Sequence, residues 1–217
     1  MKKRENPVVS PRKRPRQVRS EQLVAAILEA AVRVLEREGA ARFTTARVAE
    51  TAGVSVGSLY QYFPNKQAIL FRLQTEEWQR TMGQFERIFG DASLAPPDRL
   101  RAAVRMFFRS ECEEAAFRGA LEEAAPLYRE APEVRAHLEE GRRLMRRFVK
   151  EALPSATARE QEFAADLIRT VMSSAGKAVS SQGRSPAEVD AFATAVGEMF
   201  CAWLAAHGSV PRARRKR

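Results

Sequence analysis

The sequence predicts an all-α protein of about nine helices, and three observations carry that prediction. Apolar residues recur at spacings of three and four along most of the chain, as in Leu23, Ile27, Ala31 and Val34, or Phe163, Leu167, Ile168 and Val171. Thr157 with Glu160, and Ser185 with Glu188, have the spacing of capping boxes ahead of two long periodic segments. Glycine and proline fall at the ends of such segments, at Gly39, Gly53, Gly90, Pro154 and Gly183.

Ser20 is the expected cap of the first helix, which carries Leu23, Ile27, Ala31 and Val34 and stops near Gly39. Thr44 or Thr45 caps the second, because a hydroxyl satisfies the free amides at a helix start; Val48, Ala49 and Ala52 form its small apolar face. Gly53 ends it in the left-handed conformation that a side chain opposes. Ser55 caps a third helix, Val56 to Tyr62, with Leu59 and Phe63 turned inward. Counting Thr45 as position one, alanine falls at five, glycine at nine, and apolar residues at four, eight, ten and fifteen. That is the spacing of a helix-turn-helix, in which Ala49 must be small where the helices cross and Leu59 fills the angle between them. The outer face of the third helix shows Val56, Gly57, Ser58, Tyr60, Gln61 and Tyr62, which are uncharged and either small or hydrogen-bonding. Such a face suits base edges and phosphates in a major groove. Pro64, Asn65 and Lys66 open a fourth helix whose first N–H groups and lysine can grip a phosphate.

At these residues the chain resembles the TetR-type (TetR/AcrR) transcriptional regulators. Ser20 to about Leu73 is similar to the N-terminal DNA-binding domain of that family, and Thr44 to Lys66 carries its pattern: the GVS turn, the LYQYF recognition helix and the lysine after it. The resemblance implies a homodimer on a double-stranded DNA operator, with Thr44, Thr45, Arg47, Ser55, Val56, Gly57, Ser58, Tyr60, Gln61, Tyr62 and Lys66 at the DNA. It covers about a quarter of the chain; beyond it only length and helical character agree.

Helix four is expected to run through Leu70, Leu73, Trp78, Met82 and Phe85 to Gly90, and Asp91 to Pro97 to be a linker. A helical pattern resumes at Asp98 with Leu100, Val104, Phe107, Phe108, Phe117 and Leu121, interrupted by Pro126. Pro132 opens another helix toward Leu153, with Val134, Leu138, Met145, Phe148 and Val149 inward. The two capped helices that follow are apolar over much of their circumference. In the family such a pair forms a four-helix bundle with its copy, which nominates Phe163, Val171, Val189, Phe192, Val196, Phe200 and Trp203 as the dimer interface. An apolar effector pocket could draw on Trp78, Phe107, Phe108, Phe117, Tyr128, Met145, Phe148, Phe163 and Met172, with Arg109 or Tyr128 as a polar handle. The expected domains are thus a disordered basic arm over 1–19, the helix-turn-helix domain over 20–73, a ligand-binding and dimerisation domain over 74–208, and a disordered basic tail over 209–217.

Charge agrees with this layout. Residues 1–20 carry eight Lys or Arg against one Glu, and residues 210–217 five Arg or Lys and no acid, so the net +10 lies in the tails and the body is close to neutral. The arm is expected to follow the phosphate backbone or enter a minor groove. With no run of eighteen apolar residues and no apolar segment behind the basic start, neither a membrane span nor a secretory signal is expected, and the location is cytoplasmic. Cys112 and Cys201 stand alone in helical patterns, so no metal and no cofactor is expected. His137 and His207 have no nucleophile or carboxylate in a recognisable motif, which disfavours an all-helical enzyme. The expected function is a ligand-responsive repressor released by a small, largely apolar effector; an activator of the same fold is the alternative.

Overall fold

A computed structural model of the chain describes Val9 and residues 18–208, and every regular element among the described residues is helical. In order these are α1 (Val18–Arg42), α2 (Thr45–Ala52), α3 (Val56–Tyr62), α4 (Lys66–Phe89), α5 (Pro96–Glu113), α6 (Ala115–Ala124), a 3-10 turn (Ala125–Leu127), α7 (Pro132–Ala152), α8 (Ala158–Ser180) and α9 (Pro186–Gly208). Nine α-helices among the described residues match the expected architecture. The capping boxes form: the Glu160 carboxylate accepts from the Thr157 N–H at 2.7 Å, and that of Glu188 from the Ser185 N–H at 2.8 Å.

Three boundaries differ from expectation. α1 begins at Val18, so Ser20 lies in its first turn rather than capping it. α5 begins at Pro96, not Asp98, because proline supplies the backbone angle of a first helical turn and needs no N–H there. The helical pattern after it is two helices, parted at Glu114. Residues 1–8, 10–17 and 209–217, the bulk of the expected tails, lie outside the described residues. Val9 is only 3% exposed among core residues, which is not the environment expected of a solvated arm.

The described chain gathers into two compact units. Unit 1 takes Met1–Arg80 and Ala116–His137, and unit 2 takes Thr81–Ala115 and Leu138–Arg217. The division therefore falls inside α4 and not at Asp91–Pro97. That stretch is a tight turn within unit 2, where the Asp91 carboxylate accepts from the Ser93 N–H at 3.0 Å.

Unit 1 packs α1, α2, α3 and the first part of α4 around Ile27, Leu35, Phe43, Leu59, Ile69 and Leu70, all fully buried. α6 and the 3-10 turn belong to the same core through Leu121 and Tyr128. The single proton of the Tyr128 hydroxyl is shared between Leu121 O at 3.0 Å and Gln74 Oε1 at 3.1 Å, and burial, with Glu77 nearby, pushes its pKa up. Arg118 Nη1 pairs with Glu77 Oε1 at 2.8 Å; the Glu77 side chain is buried and that of Arg118 largely so, at 14% exposure.

Unit 2 packs α5 against α8 and α9. A Cβ at Gly176 of α8 would lie 2.7 Å from the Phe107 ring, so glycine is what lets α8 approach α5 there. Arg99 of α5 is 4% exposed; its guanidinium donates to Phe89 O at 2.6 Å and forks onto the Glu151 carboxylate of α7. Cys201 is buried and Cys112 half-buried, both free, with burial raising both thiol pKa values.

Over Pro186–His207, α9 is long and apolar enough to cross a bilayer by length and composition, with a mean hydropathy of 1.3. Its alanines dilute the few charges, so no strict apolar run is needed to reach that value. One face of α9 packs in the unit 2 core through Val189, Ala193, Val196, Phe200 and Leu204, as in the core helix of a globular domain.

Candidate nucleic-acid interface

The helix-turn-helix is held by contacts that the local sequence dictates. The Thr44 hydroxyl accepts from the Arg47 N–H at 3.3 Å, starting α2. Gly53 adopts φ 67°, ψ 29°, which turns the chain and lets its N–H and that of Val54 close onto the last α2 carbonyls. The Ser55 hydroxyl then accepts from the Ser58 N–H at 3.0 Å and starts α3. Val48, Ala49 and Leu59 are buried where the two helices cross. Inward anchoring at positions 59, 62 and 63 leaves Val56, Gly57, Tyr60 and Gln61 exposed on the opposite side of α3.

Tyr62 departs from the expected outer face. It is 6% exposed and packs in the unit 1 core, because it stands three residues after Leu59 on the inward side. Ser58 is half-buried, its hydroxyl 2.8 Å from that of Ser55. Tyr60 stays at 38% exposure, with its hydroxyl 3.1 Å from the Thr45 hydroxyl. Arg47 is exposed and paired with Glu38 of α1. Lys66, at the first residue of α4, donates to Phe43 O at 3.4 Å, while Asn65 Oδ1 accepts the Ala68 N–H at 2.8 Å and caps that helix. Thr44, Thr45, Ser55, Val56, Gly57, Tyr60 and Lys66 therefore stand on two adjoining helix starts and the exposed face of α3. With Gln61, the assembled surface offers hydroxyls, an amide, methyl groups and one ammonium, the groups that meet base edges and phosphates.

Two family profiles match this chain. The one described as bacterial regulatory proteins, tetR family, matches residues 27–73, and the one described as tetracyclin repressor-like, C-terminal domain, matches residues 95–207. The chain belongs to the TetR family. It is a TetR-family transcriptional regulator with a helix-turn-helix DNA-binding domain. Among curated proteins it is 33% identical over 86 residues to the HTH-type transcriptional regulator EthR of Mycolicibacterium smegmatis, covering 40% of each chain. It is 39% identical over 81 residues to the nucleoid occlusion factor SlmA of Vibrio cholerae, covering 37% of this chain and 41% of that one. It thus spans about two-fifths of the length of these relatives. Among solved structures, the fatty acid degradation regulator FadR of Bacillus halodurans matches with a TM-score of 0.66 at 19% identity, covering 94% of this chain and all 100% of that one. A transcriptional regulator of Pseudomonas aeruginosa matches with a TM-score of 0.70 at 17% identity, covering 88% and 96%. At such identities these structures show the fold.

The residues nominated for an effector pocket divide between the two units. Trp78, Phe117 and Tyr128 belong to unit 1, where the Trp78 ring stacks on His137 at 4.5 Å. Phe107, Phe108, Met145, Phe148 and Met172 belong to unit 2, with Phe148 stacked 4.3 Å from Phe89. Arg109 is a surface residue, its guanidinium forking onto the Asp190 carboxylate at 2.7 Å, and is therefore not placed as a handle in that core. Phe163 is 60% exposed and lines no core.

The nominated interface residues divide as well. Val189, Val196 and Phe200 are at most 9% exposed and serve the unit 2 core, so they are not available to a partner. Val171 and Trp203 are half-buried, and Phe163 and Phe192 are exposed. Met199, at 51% exposure, extends the apolar surface of α9. Helical spacing alone could not separate the faces of a helix apolar on nearly all sides; the exposed set Phe192, Ala195, Met199, Ala202 and Ala206 forms one stripe at i, i+3, i+7 spacing.

Proposed function

We propose that this TetR-family chain is a ligand-responsive repressor that binds a near-palindromic operator as a homodimer. The observation that carries the DNA reading is the exposed, uncharged outer face of α3, Val56, Gly57, Tyr60 and Gln61, on a helix whose inner face is fully buried. Its position after Gly53 and beside Lys66 supports Lys66, Thr44 and Thr45 as phosphate contacts and Val56, Tyr60 and Gln61 as base contacts. A single seven-residue helix makes few base contacts, so two copies about 34–36 Å apart are needed for successive major grooves. The exposed apolar residues Phe163, Phe192 and Met199 support α8 and α9 as the surface that pairs them.

The effector is proposed to be small and largely apolar, entering among Phe107, Phe108, Met145, Phe148 and Met172. The run of α4 as a helix from Lys66 to Phe89 supports it as the element through which the effector acts on DNA binding. Shifting the population from almost all DNA-competent to almost none needs about 5.5 kcal/mol of differential affinity.

The test selects DNA from a random-sequence library with the full chain and measures complex mass. A symmetric motif bound by two chains is expected. Hydrophobic compounds that raise the melting temperature are then added to the complex. An asymmetric or absent motif would sink the operator reading, and tight ligands that leave DNA affinity unchanged would sink release, because coupling is reciprocal.

A further inference from the structure

The cations of α7 that belong to unit 2 fall into two groups. Arg142 and Arg146 are engaged: Arg142 lies 3.6 Å from Glu139, and Arg146 bonds Glu139 and, at 3.0 Å, Glu162 of α8. Arg143, Arg147 and Lys150 are exposed and have no carboxylate partner among the described residues. They stand at i, i+4 and i+7, on one side of α7 over about 10 Å. Like charges at that spacing repel and weaken the helix, so the fold gains nothing by aligning them.

That side of α7 walls an open groove of about 500 Å³. Glu140 and Arg146 of α7, Glu86 of α4 and Ala158, Gln161 and Glu162 of α8 complete its lining, and all of these residues belong to unit 2. The Gln161 amide is spent on Leu153 O at 2.9 Å and Ala156 O at 3.3 Å, which fixes that wall. The three cations are left for an occupant.

Guanidinium groups fork onto phosphate oxygens and an ammonium adds a point charge, so this spacing matches two neighbouring phosphates. The acids Glu86, Glu140 and Glu162 on the same lining, the last bonded to Arg146, oppose an extended polyanion such as duplex DNA or an anionic bilayer. For a compact ligand, the Glu86 carboxylate is an acceptor for hydroxyl or amino groups. We propose that the α7 groove binds a small molecule carrying a diphosphate beside hydroxyl or amino groups, held by Arg143, Arg147 and Lys150.

The test uses the full chain at about 0.15 M ionic strength, where surface attraction beyond roughly 8 Å is screened. Adenosine diphosphate is the probe, with inorganic pyrophosphate and adenosine as separate arms in titration calorimetry. Saturable binding of both phosphate compounds, one per chain, and none of adenosine is expected. The double variant R147Q/K150Q should bind the probe at least about tenfold more weakly, whereas R142Q, outside the groove, should stay within roughly twofold. All three sites are exposed, and unchanged thermal melts are checked first. Absence of saturable binding, or equal loss in R142Q, overturns the proposal. The same variants are run against a random duplex and against phosphatidylglycerol vesicles. If R147Q/K150Q loses either of these while keeping the probe, the face belongs to nucleic acid or lipid and the proposal is again overturned.

Discussion

The Thr45 and Tyr60 hydroxyls lie 3.1 Å apart, a side-chain bond that joins the first residue of α2 to the exposed face of α3. It holds the Tyr60 ring, which would otherwise rotate freely at 38% exposure, in one orientation. Tyr60→Phe keeps the ring and removes the bond. Stability should change by no more than about 0.5 kcal/mol, while preference at one or two base pairs shifts by about 1–3 kcal/mol. Library selection with both proteins checks this; an identical motif with unchanged affinity would place Tyr60 outside the base-reading set.

Gly57 is a second point where stability and function should part. A Cβ there would meet nothing nearer than the Ser55 hydroxyl at 3.8 Å, so the fold does not require glycine. Alanine should stabilise α3 by up to about 1 kcal/mol while weakening DNA binding, if the bare backbone is there to approach the groove closely. Chemical denaturation and a DNA titration give the two numbers. A more stable protein with unaltered DNA affinity counts against close approach at this residue.

For the paired assembly, Phe163→Glu combined with Met199→Glu should give a monomer that is still folded, since both side chains are exposed, at 60% and 51%. Phe200→Glu should instead unfold unit 2, because that ring is 2% exposed and a buried unpaired carboxylate is costly. Light scattering beside far-UV circular dichroism separates the two outcomes. A dimer that survives the exposed double change assigns the pairing surface elsewhere.

The Arg99–Glu151 pair predicts an acid-side loss of stability. The Arg99 guanidinium holds the Glu151 carboxyl below its ordinary value of 4.5, so its contribution is present above that pH and disappears as pH falls through the lower folded value. The carboxylate is half exposed, which limits its size. Glu151→Ala should cost about 1–3 kcal/mol at neutral pH, mainly because the buried Arg99 loses acceptors. Its stability curve should also be flatter below pH 4.5 than the parent's. Parallel curves down to acid would show that other carboxylates carry the dependence.

The DNA-reading half was legible in the sequence because its determinants are local. Thr44, Gly53 and Ser55 act on amides within three or four residues, so spacing alone locates the turn and both caps. Tyr62 was misplaced because Leu59, Tyr62 and Phe63 share one side of a seven-residue helix, and an aromatic hydroxyl reads as polar even when its ring is buried. α6 joined unit 1 through the Arg118–Glu77 pair and Tyr128, contacts separated by tens of residues that no periodicity signals. For α8 and α9 the hydrophobic period was clear, but a helix rich in alanine on every side does not say which side faces its own core. Nothing in the spacing of the α7 cations marks Arg143, Arg147 and Lys150; the groove beside them and the engagement of Arg142 and Arg146 set them apart.

The burial of Glu77 and Arg118 also governs how this lineage can drift. Replacing either one alone takes the charged partner from a side chain at 4% or 14% exposure, and breaking a buried pair in this way costs on the order of 3–5 kcal/mol, comparable to much of a small domain's margin. Replacing both by apolar residues of similar volume is close to neutral. The route between those two states passes through a nearly unfolded ancestor, so descendants are expected to keep the pair together or to have lost both members together.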